Sequence, residues 1–213
     1  MRVAVFASGG GTNLQTLLDV CRPPEPATVA LVVSDKSSAG ALDRARAAGV
    51  ATHVIPDPGD GSAILQVLQD AKTDLVVLAG YLKLVPLEVV RAFEGRMVNI
   101  HPALLPAFGG KGMYGLRVHR AVIESGATVS GVTVHMVNEE YDRGKTLAQW
   151  PVPVRAGDTP ETLAARVLAV EHELLPAVVL TAAREGTLVR LPFPQTAFAA
   201  GETAAVTNTL VTS

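Results

Sequence analysis

The sequence has little of several features that mark specialised protein classes. A single cysteine, Cys21, excludes a disulfide framework and a cysteine-rich zinc site. Charged residues are only 18% of the 213 residues and the formal net charge is −2, which argues against a large basic surface for nucleic acid. No apolar run approaches the ~20 residues that span a bilayer, and Val3–Ala7 is too short for a signal-peptide core. We therefore expect a cytoplasmic globular protein whose partners are neither nucleic acid nor membrane.

Hydrophobic residues make up 48% of the chain, enough for a packed core and too many for a disordered protein. In the first hundred residues, short apolar strands alternate with amphipathic helices. The predicted strands are 2–7, 29–33, 52–55, 75–78 and 97–100, and the predicted helices are 14–20, 39–48, 62–72 and 86–93. Because the strands are continuous apolar runs, both faces of their sheet are buried, as in parallel sheets covered by helices.

The pattern changes after residue 126. Segments 129–137 and 147–154 predict a long antiparallel hairpin, and a helix begins at Asp158–Glu161 and runs to about Gly186. Pro176 predicts a kink or break within that helix. The sequence thus predicts an α/β fold: an open, mostly parallel twisted sheet with helices on both faces and a C-terminal antiparallel hairpin. We expect one domain over 1–191, followed by an extended or disordered tail, 192–213.

The first strand runs directly into a glycine-rich turn, Ser8–Asn13, that opens the first helix. Backbone N–H groups at such a turn bind phosphate well. A dinucleotide fingerprint is absent, because Leu14 stands where its third glycine would be. The turn therefore predicts a site for one phosphomonoester, and its alternative interpretation is a tight turn that only needs glycine geometry.

A second candidate site, Asn99–Pro102, follows the fifth strand. Asn99 and His101 project to the same side of the strand, and an amide beside an imidazole suits a developing oxyanion. Taken alone, a histidine at this place is more often structural, and so is a half-buried strand histidine such as His135. By itself, the turn 138–144 would be a solvated acidic loop. The five histidines form no i,i+4 pair, so we expect no metal.

Three segments together resemble the folate-dependent formyltransferase family: Ser8–Gln15, Asn99–Pro106, and Thr133–His135 with Asp142 seven residues later. The resemblance spans residues 1 to about 190. The glycine-rich turn is similar to that of the glycinamide ribonucleotide transformylase branch, also called phosphoribosylglycinamide formyltransferase.

The resemblance implies a Rossmann-like formyltransferase fold. It also implies transfer of the formyl group of 10-formyltetrahydrofolate, the co-substrate, to the amine of 5-phosphoribosylglycinamide in de novo purine (IMP) biosynthesis. The amine would attack directly, through a tetrahedral intermediate. Residues 1–100 would form the nucleotide- and phosphate-binding half, and 101–191 the folate and catalytic half. We expect small-molecule substrates and a monomer or homodimer.

The resemblance also implies residue roles. Asn99, protonated His101 and Asp142 would be catalytic, with Asp142 charging the imidazole. Glu171 would contact the ribonucleotide. The phosphate would be bound by Gly10, Gly11, Thr12 and Asn13, and the folate by Leu82, Lys83, Leu84, Val85, Asn99, His135 and Asp142.

The sequence departs from the family at three places near this site. Lys83 stands where arginine is common, and lysine lacks the planar fork of arginine. The loop 109–115 and the segment Arg143–Lys145 also differ from the usual pattern.

Three alternatives differ in what else they require. Formyltetrahydrofolate deformylase, a hydrolase, has the same catalytic pattern with a preceding regulatory domain. Methionyl-tRNA formyltransferase carries an additional tRNA-binding domain. The expected catalytic domain starts at residue 1, which argues against the deformylase. The length of 213 residues and the net charge of −2 argue against the tRNA-dependent enzyme, so we expect neither. A non-catalytic nucleotide-binding module would keep the glycine turn but does not need Asn99, His101 and Asp142 together.

Overall fold

The computed structural model describes residues 1–192, so the predicted tail lies outside the described residues except for its first position. Seven strands and six helices follow one another within that range. They are β1 (Arg2–Phe6), α1 (Thr12–Val20), β2 (Thr28–Ser34), α2 (Gly40–Ala47), β3 (Ala51–Val54), α3 (Gly61–Asp70), β4 (Leu75–Leu78), α4 (Leu87–Ala92), β5 (Met97–His101), α5 (Leu116–Glu124), β6 (Val129–Met136), β7 (Thr146–Pro153) and α6 (Pro160–Glu185).

The strands form one sheet in the order β3-β2-β1-β4-β5-β6-β7. The first five are mutually parallel, whereas β5 pairs with β6, and β6 with β7, in antiparallel fashion. The predicted fold class is therefore confirmed. Because β1 has β2 on one side and β4 on the other, the order of connections reverses at β1, and open sheets bind ligands at the carboxyl ends of strands beside such a point.

Both faces of the sheet are buried, as the continuous apolar strands predict. Along β1, Val3 and Val5 belong to the core that includes α1, α2 and α6, while Ala4 and Phe6 belong to the core that includes α3 and α4. This alternation follows from the two-residue period of a strand. The carboxyl ends of the parallel strands are thereby held between two helical layers.

The helix α6 supports the site from one of these layers. It begins with a capping box, in which Thr159 and Thr162 exchange side-chain and backbone hydrogen bonds. It continues through Pro176 as one helix, so of the predicted kink or break the break does not occur, and the kink stays a prediction. Proline removes one backbone hydrogen bond, but Leu174, Leu175 and the turn after Pro176 are buried in the core, and that packing holds the helix together.

The helix α5 was not predicted. Its first residues follow the glycine-rich loop 109–115, and only Val118, His119 and Val122 are buried. With a histidine among three buried positions, the helical period is hard to recognise. Among the described residues, no helix is long and apolar enough to cross a membrane.

Candidate active site

A cavity of about 680 Å³ opens at the carboxyl ends of β4 and β5, a volume typical of small-molecule sites. The predicted catalytic and folate-binding residues all line it, and so do Asn13 and Glu171. Gly10, Gly11 and Thr12 do not line it, although they adjoin Asn13 in the chain. Most of the predicted site residues therefore line one cavity, and the glycine turn lies at its margin.

The register of the sheet brings the polar side chains together. Asn99 pairs with His135 and His101 pairs with Thr133 across β5 and β6, and directly opposed residues point to the same face. Asp142 comes from the turn between β6 and β7, where its backbone adopts a left-handed φ of 55°. Asx residues tolerate this conformation better than most others.

The carboxylate of Asp142 lies at the centre of the cluster. Its Oδ1 accepts from the Asn99 amide at 3.3 Å and lies 3.5 Å from His135 Nε2. Its Oδ2 accepts from the Gly110 backbone N–H at 2.8 Å and lies 3.6 Å from His101 Nδ1. Burial raises the pKa of Asp142, but the contacts with His135, Gly110 and His101 outweigh it and leave the pKa below its usual value. Asp142 is therefore ionised.

The His101 imidazole is oriented by the Phe108 carbonyl, 2.9 Å from its Nε2. Because a carbonyl oxygen only accepts, Nε2 carries the hydrogen, and Nδ1 is the nitrogen that takes up a proton. Burial lowers the pKa of His101, and the opposing effects of Asp142 and Phe108 do not compensate. Burial of the ring, which is 3% exposed, therefore favours the neutral imidazole in the ligand-free protein. The protonated His101 expected beside the tetrahedral species stays a prediction.

His135 is held in the opposite tautomer. Its Nδ1 lies 2.8 Å from the Met136 carbonyl and therefore carries the hydrogen. Its Nε2 accepts from the Asn99 amide at 3.1 Å. His135 thus fixes the rotamer of Asn99 and completes a chain of contacts that runs to Asp142.

The glycine turn has the backbone geometry of an anion site. Gly11 has a φ of 73°, and a Cβ there would lie 2.7 Å from the Ala41 Cα, so glycine is required. The carbonyls of Gly9 and Gly10 accept from Ala41 N and Arg44 Nε. No side chain caps α1 within the described chain. The first-turn N–H groups of α1 are thus available to an anion.

Glu171 connects this turn to the cavity. The Asn13 amide donates to Glu171 Oε2 at 2.7 Å, which ties the first turn of α1 to the middle of α6. The side chain is buried, and burial raises the pKa of Glu171 to about 7, although the bond from Asn13 opposes this shift. At neutral pH the carboxyl group is therefore poised between its charged and neutral forms.

Several contributions to the site were not predicted. The Phe108 carbonyl and the Gly110 N–H are backbone groups of a loop, and no side-chain pattern identifies them. His119 lines the cavity from α5, the helix that the sequence pattern did not reveal. Of the departures from the family pattern, Lys83 lines the cavity, whereas Arg143 is exposed outside it. Within residues 1–192 no group of three His, Cys, Asp or Glu is arranged to hold a metal ion.

Known proteins similar to this chain match it over nearly the same residues as the predicted resemblance, 1 to about 190. The family model described as formyl transferase matches residues 1–179. The chain is 51% identical to the chloroplastic phosphoribosylglycinamide formyltransferase of Arabidopsis thaliana over 84% of this chain and 64% of that protein. It is 37% identical to the phosphoribosylglycinamide formyltransferase of Escherichia coli strain K12 over 84% of this chain and 85% of that protein. The chain thus spans less than two thirds of the plant relative.

Solved structures agree with the predicted Rossmann-like fold. Glycinamide ribonucleotide transformylase 1 from Symbiobacterium toebii superposes with a TM-score of 0.80 at 42% identity, over 87% of this chain and 88% of that one. Phosphoribosylglycinamide formyltransferase from Anaplasma phagocytophilum gives 0.81 at 35% identity, over 87% of each chain. The family predicted from the three sequence segments is confirmed: this chain belongs to the formyl transferase family.

Proposed function

We propose that this chain transfers the formyl group of 10-formyltetrahydrofolate to the amine of 5-phosphoribosylglycinamide, a step of de novo purine biosynthesis. One observation carries the proposal. Polar atoms of Asn99 and His101 lie 3.3 Å and 3.6 Å from the Asp142 carboxylate, in a cavity that also reaches Asn13 and Glu171. The relatives described above carry the corresponding name.

The ribonucleotide would lie between α1 and α6. Its phosphate would accept hydrogen bonds from the backbone of the turn Gly10–Asn13, where the helix dipole also favours negative charge. The Glu171 carboxyl group, held by Asn13, would accept from the ribose hydroxyl groups. The amine of the substrate would then point along the cavity toward Asn99 and His101.

The folate would occupy the other end of the cavity. Leu82 and Leu84 are 42% and 50% exposed on its wall, and Val85 lies beneath them. Exposed apolar surface lining a cavity fits a flat ring system that covers it. Lys83 lies between the two leucines and offers a single positive charge to the carboxylate end of such a molecule. The bound folate would supply the formyl carbon.

The catalytic residues would act on charge and protons. The Asn99 amide would donate to the oxygen that becomes negative when the amine attacks, and its long 3.3 Å bond to Asp142 is the one most easily exchanged. His101 Nδ1, neutral in the free protein, would take up the proton that the attacking amine releases. The resulting imidazolium would be stabilised by the Asp142 carboxylate and would return the proton to the departing folate nitrogen.

The experiment that tests the proposal is a folate absorbance assay with and without 5-phosphoribosylglycinamide. The proposal predicts folate product only when the ribonucleotide is present. Equal folate release without the ribonucleotide would identify the hydrolase alternative, and absence of product in both cases would identify a non-catalytic module.

Other properties of this enzyme stay predictions: a cytoplasmic location, activity without a metal ion, a monomer or homodimer, and a division into a phosphate-binding half, 1–100, and a folate half, 101–191. Helix α6 qualifies that division, because Glu171 in the second half would complete the ribonucleotide site through Asn13 in the first.

The catalytic trio gives the first prediction. Asn99→Ala removes one oxyanion donor and should lower kcat by about 10²–10³-fold. His101→Ala should cost at least as much, and Asp142→Asn should lower kcat severely while keeping the shape of the side chain. Because the residues act as one unit, the Asn99→Ala/Asp142→Asn double variant should be far less impaired than the product of the single effects.

The measurement is steady-state kinetics with melting curves as a check on folding, and the exposed substitution Asp70→Asn serves as a control. Near-normal turnover in well-folded His101→Ala would contradict the assignment of this cluster as the active site. Near-normal turnover in well-folded Asp142→Asn would show that Asp142 has no role in the mechanism.

The second prediction concerns the phosphate. Charge-assisted hydrogen bonds contribute about 1.5–3 kcal/mol each, and several converge at the glycine turn. Titration calorimetry with the ribonucleotide and its dephosphorylated form should therefore show that the latter loses most of its affinity. Affinities within a few-fold of each other would place the phosphate elsewhere.

The third prediction follows from the raised pKa of Glu171, about 7 in the folded protein. Between the ordinary carboxyl pKa and 7 the folded state binds more protons than the unfolded state, so stability falls as pH rises through this window. Glu171→Gln removes this loss. The change in free energy of unfolding that the substitution causes should therefore be more favourable at pH 8 than at pH 4.5, by on the order of 3 kcal/mol.

Urea unfolding at both pH values measures this difference. The exposed Glu173→Gln, two residues further along α6, is the matched control and should show almost no difference. An equal effect of Glu171→Gln at both pH values would mean that Glu171 titrates normally.

A further inference from the structure

Three polar side chains form a row across the antiparallel part of the sheet. His101 on β5 lies opposite Thr133 on β6, and Thr133 lies opposite Gln149 on β7. Opposed residues share a face, so this row extends from the catalytic histidine to the edge strand of the sheet. Neither Thr133 nor Gln149 has a role in the proposed chemistry described above.

Thr133 makes three hydrogen bonds although its side chain is fully buried. Its Oγ1 donates to the Ala103 carbonyl at 2.6 Å and accepts from Leu105 N at 3.0 Å. It also accepts from Gln149 Nε2 at 3.0 Å. One hydroxyl group thus satisfies both ends of the turn 103–105, which directly follows His101 and Pro102.

Gln149 strengthens the same turn from the next strand. Its Nε2 donates to the Leu105 carbonyl at 2.8 Å as well as to Thr133. Both hydrogens of the amide are therefore used, one on the turn and one on the residue that holds it. Since these groups are wholly or partly buried, the loss of either partner would leave polar atoms unsatisfied.

The turn is followed by the loop that contacts the catalytic groups. Three residues after Leu105, the Phe108 carbonyl accepts from His101 Nε2. Five residues after it, the Gly110 N–H donates to Asp142 Oδ2. The turn 103–105 thus anchors the start of the segment that carries these two backbone groups.

We propose that Thr133 and Gln149 are positioning residues, which fix the turn 103–105 so that the Phe108 carbonyl holds His101 as its Nε2–H tautomer with Nδ1 toward Asp142. The consequence for turnover rests on the proposed function. The consequence for the tautomer does not, because it concerns the free protein.

A purely structural role would give a different result. Thr133 and Gln149 would then contribute to folding stability, but the His101 ring would keep its tautomer whenever the protein folds. The two roles are therefore separated by observing the ring itself rather than the melting temperature.

The test compares the near-isosteric variants Thr133→Val and Gln149→Met with Thr133→Ser, which keeps the hydroxyl group. Long-range ¹H–¹⁵N NMR of ligand-free protein reports which ring nitrogen of each histidine carries hydrogen. His135 serves as an internal control in the same spectra, because its bond to the Met136 carbonyl does not involve the turn.

We expect wild type and Thr133→Ser to show His101 protonated at Nε2 and His135 at Nδ1. In Thr133→Val and Gln149→Met, His101 should become a mixture of tautomers while His135 is unchanged. In formyl transfer assays these two variants should lose kcat by on the order of 10–100-fold with KM changed only slightly, and Thr133→Ser should retain most activity.

Three outcomes would overturn the proposal. One is a wild-type His101 that carries its hydrogen on Nδ1, which needs no variant to fold. Another is an unchanged His101 tautomer in folded Thr133→Val and Gln149→Met, whatever their activity. The third is a Thr133→Ser protein as impaired as Thr133→Val. A tautomer shift as expected, in a protein without formyl transfer in the wild type, would leave the positioning role intact and refute the proposed function.

Discussion

The site depends on the need of one largely buried carboxylate, Asp142, for hydrogen-bond donors. Burying an ionised group costs several kcal/mol unless it is paired, and here the direct donors come from two separate parts of the chain. The Asn99 amide belongs to β5 and the Gly110 N–H to the loop after β5. His135 on β6 holds the Asn99 amide through its Nε2. Satisfying Asp142 therefore assembles the cluster. His101 Nδ1 faces Oδ2, the same oxygen that accepts from the Gly110 N–H.

The sheet makes this assembly possible. Because β1, β4 and β5 are parallel, their carboxyl ends lie at the same edge of the sheet. The glycine turn after β1 and the segment Leu82–Val85 after β4 therefore lie on the same side as Asn99. Antiparallel pairing of β6 with β5 places His135 opposite Asn99, and the turn between β6 and β7 carries Asp142. Helix α6 packs in the same layer as α1 and contributes Glu171, which is bonded to Asn13. One cavity thus has the glycine turn at its margin and apolar walls at its other end.

Much of this could be predicted from the sequence, for physical reasons. Continuous apolar strands and the cap of α6 revealed the fold, and the two-residue period of a strand placed Asn99 and His101 on one side. That Asp142 lies near Asn99 and His101 could be predicted only from the family resemblance. Asp142 is a turn residue with φ 55°, and strand periodicity does not predict where such a side chain points. The burial that lowers the pKa of His101 in the free protein could not be predicted, since the sequence does not show how deeply a ring is buried. The backbone groups of Phe108 and Gly110 have no side-chain pattern at all, and α5 is a short helix with a histidine among its buried positions.

The proposed chemistry moves a formyl group directly onto an amine at the cluster around Asp142. Its most direct test follows the label of ¹³C-formyl-tetrahydrofolate by NMR in the presence of 5-phosphoribosylglycinamide. We expect the label to appear as a formamide on the ribonucleotide, with one formamide formed for each folate consumed, and Asp142→Asn nearly to abolish it. Label that accumulates as free formate at the same rate with or without the ribonucleotide would contradict direct transfer.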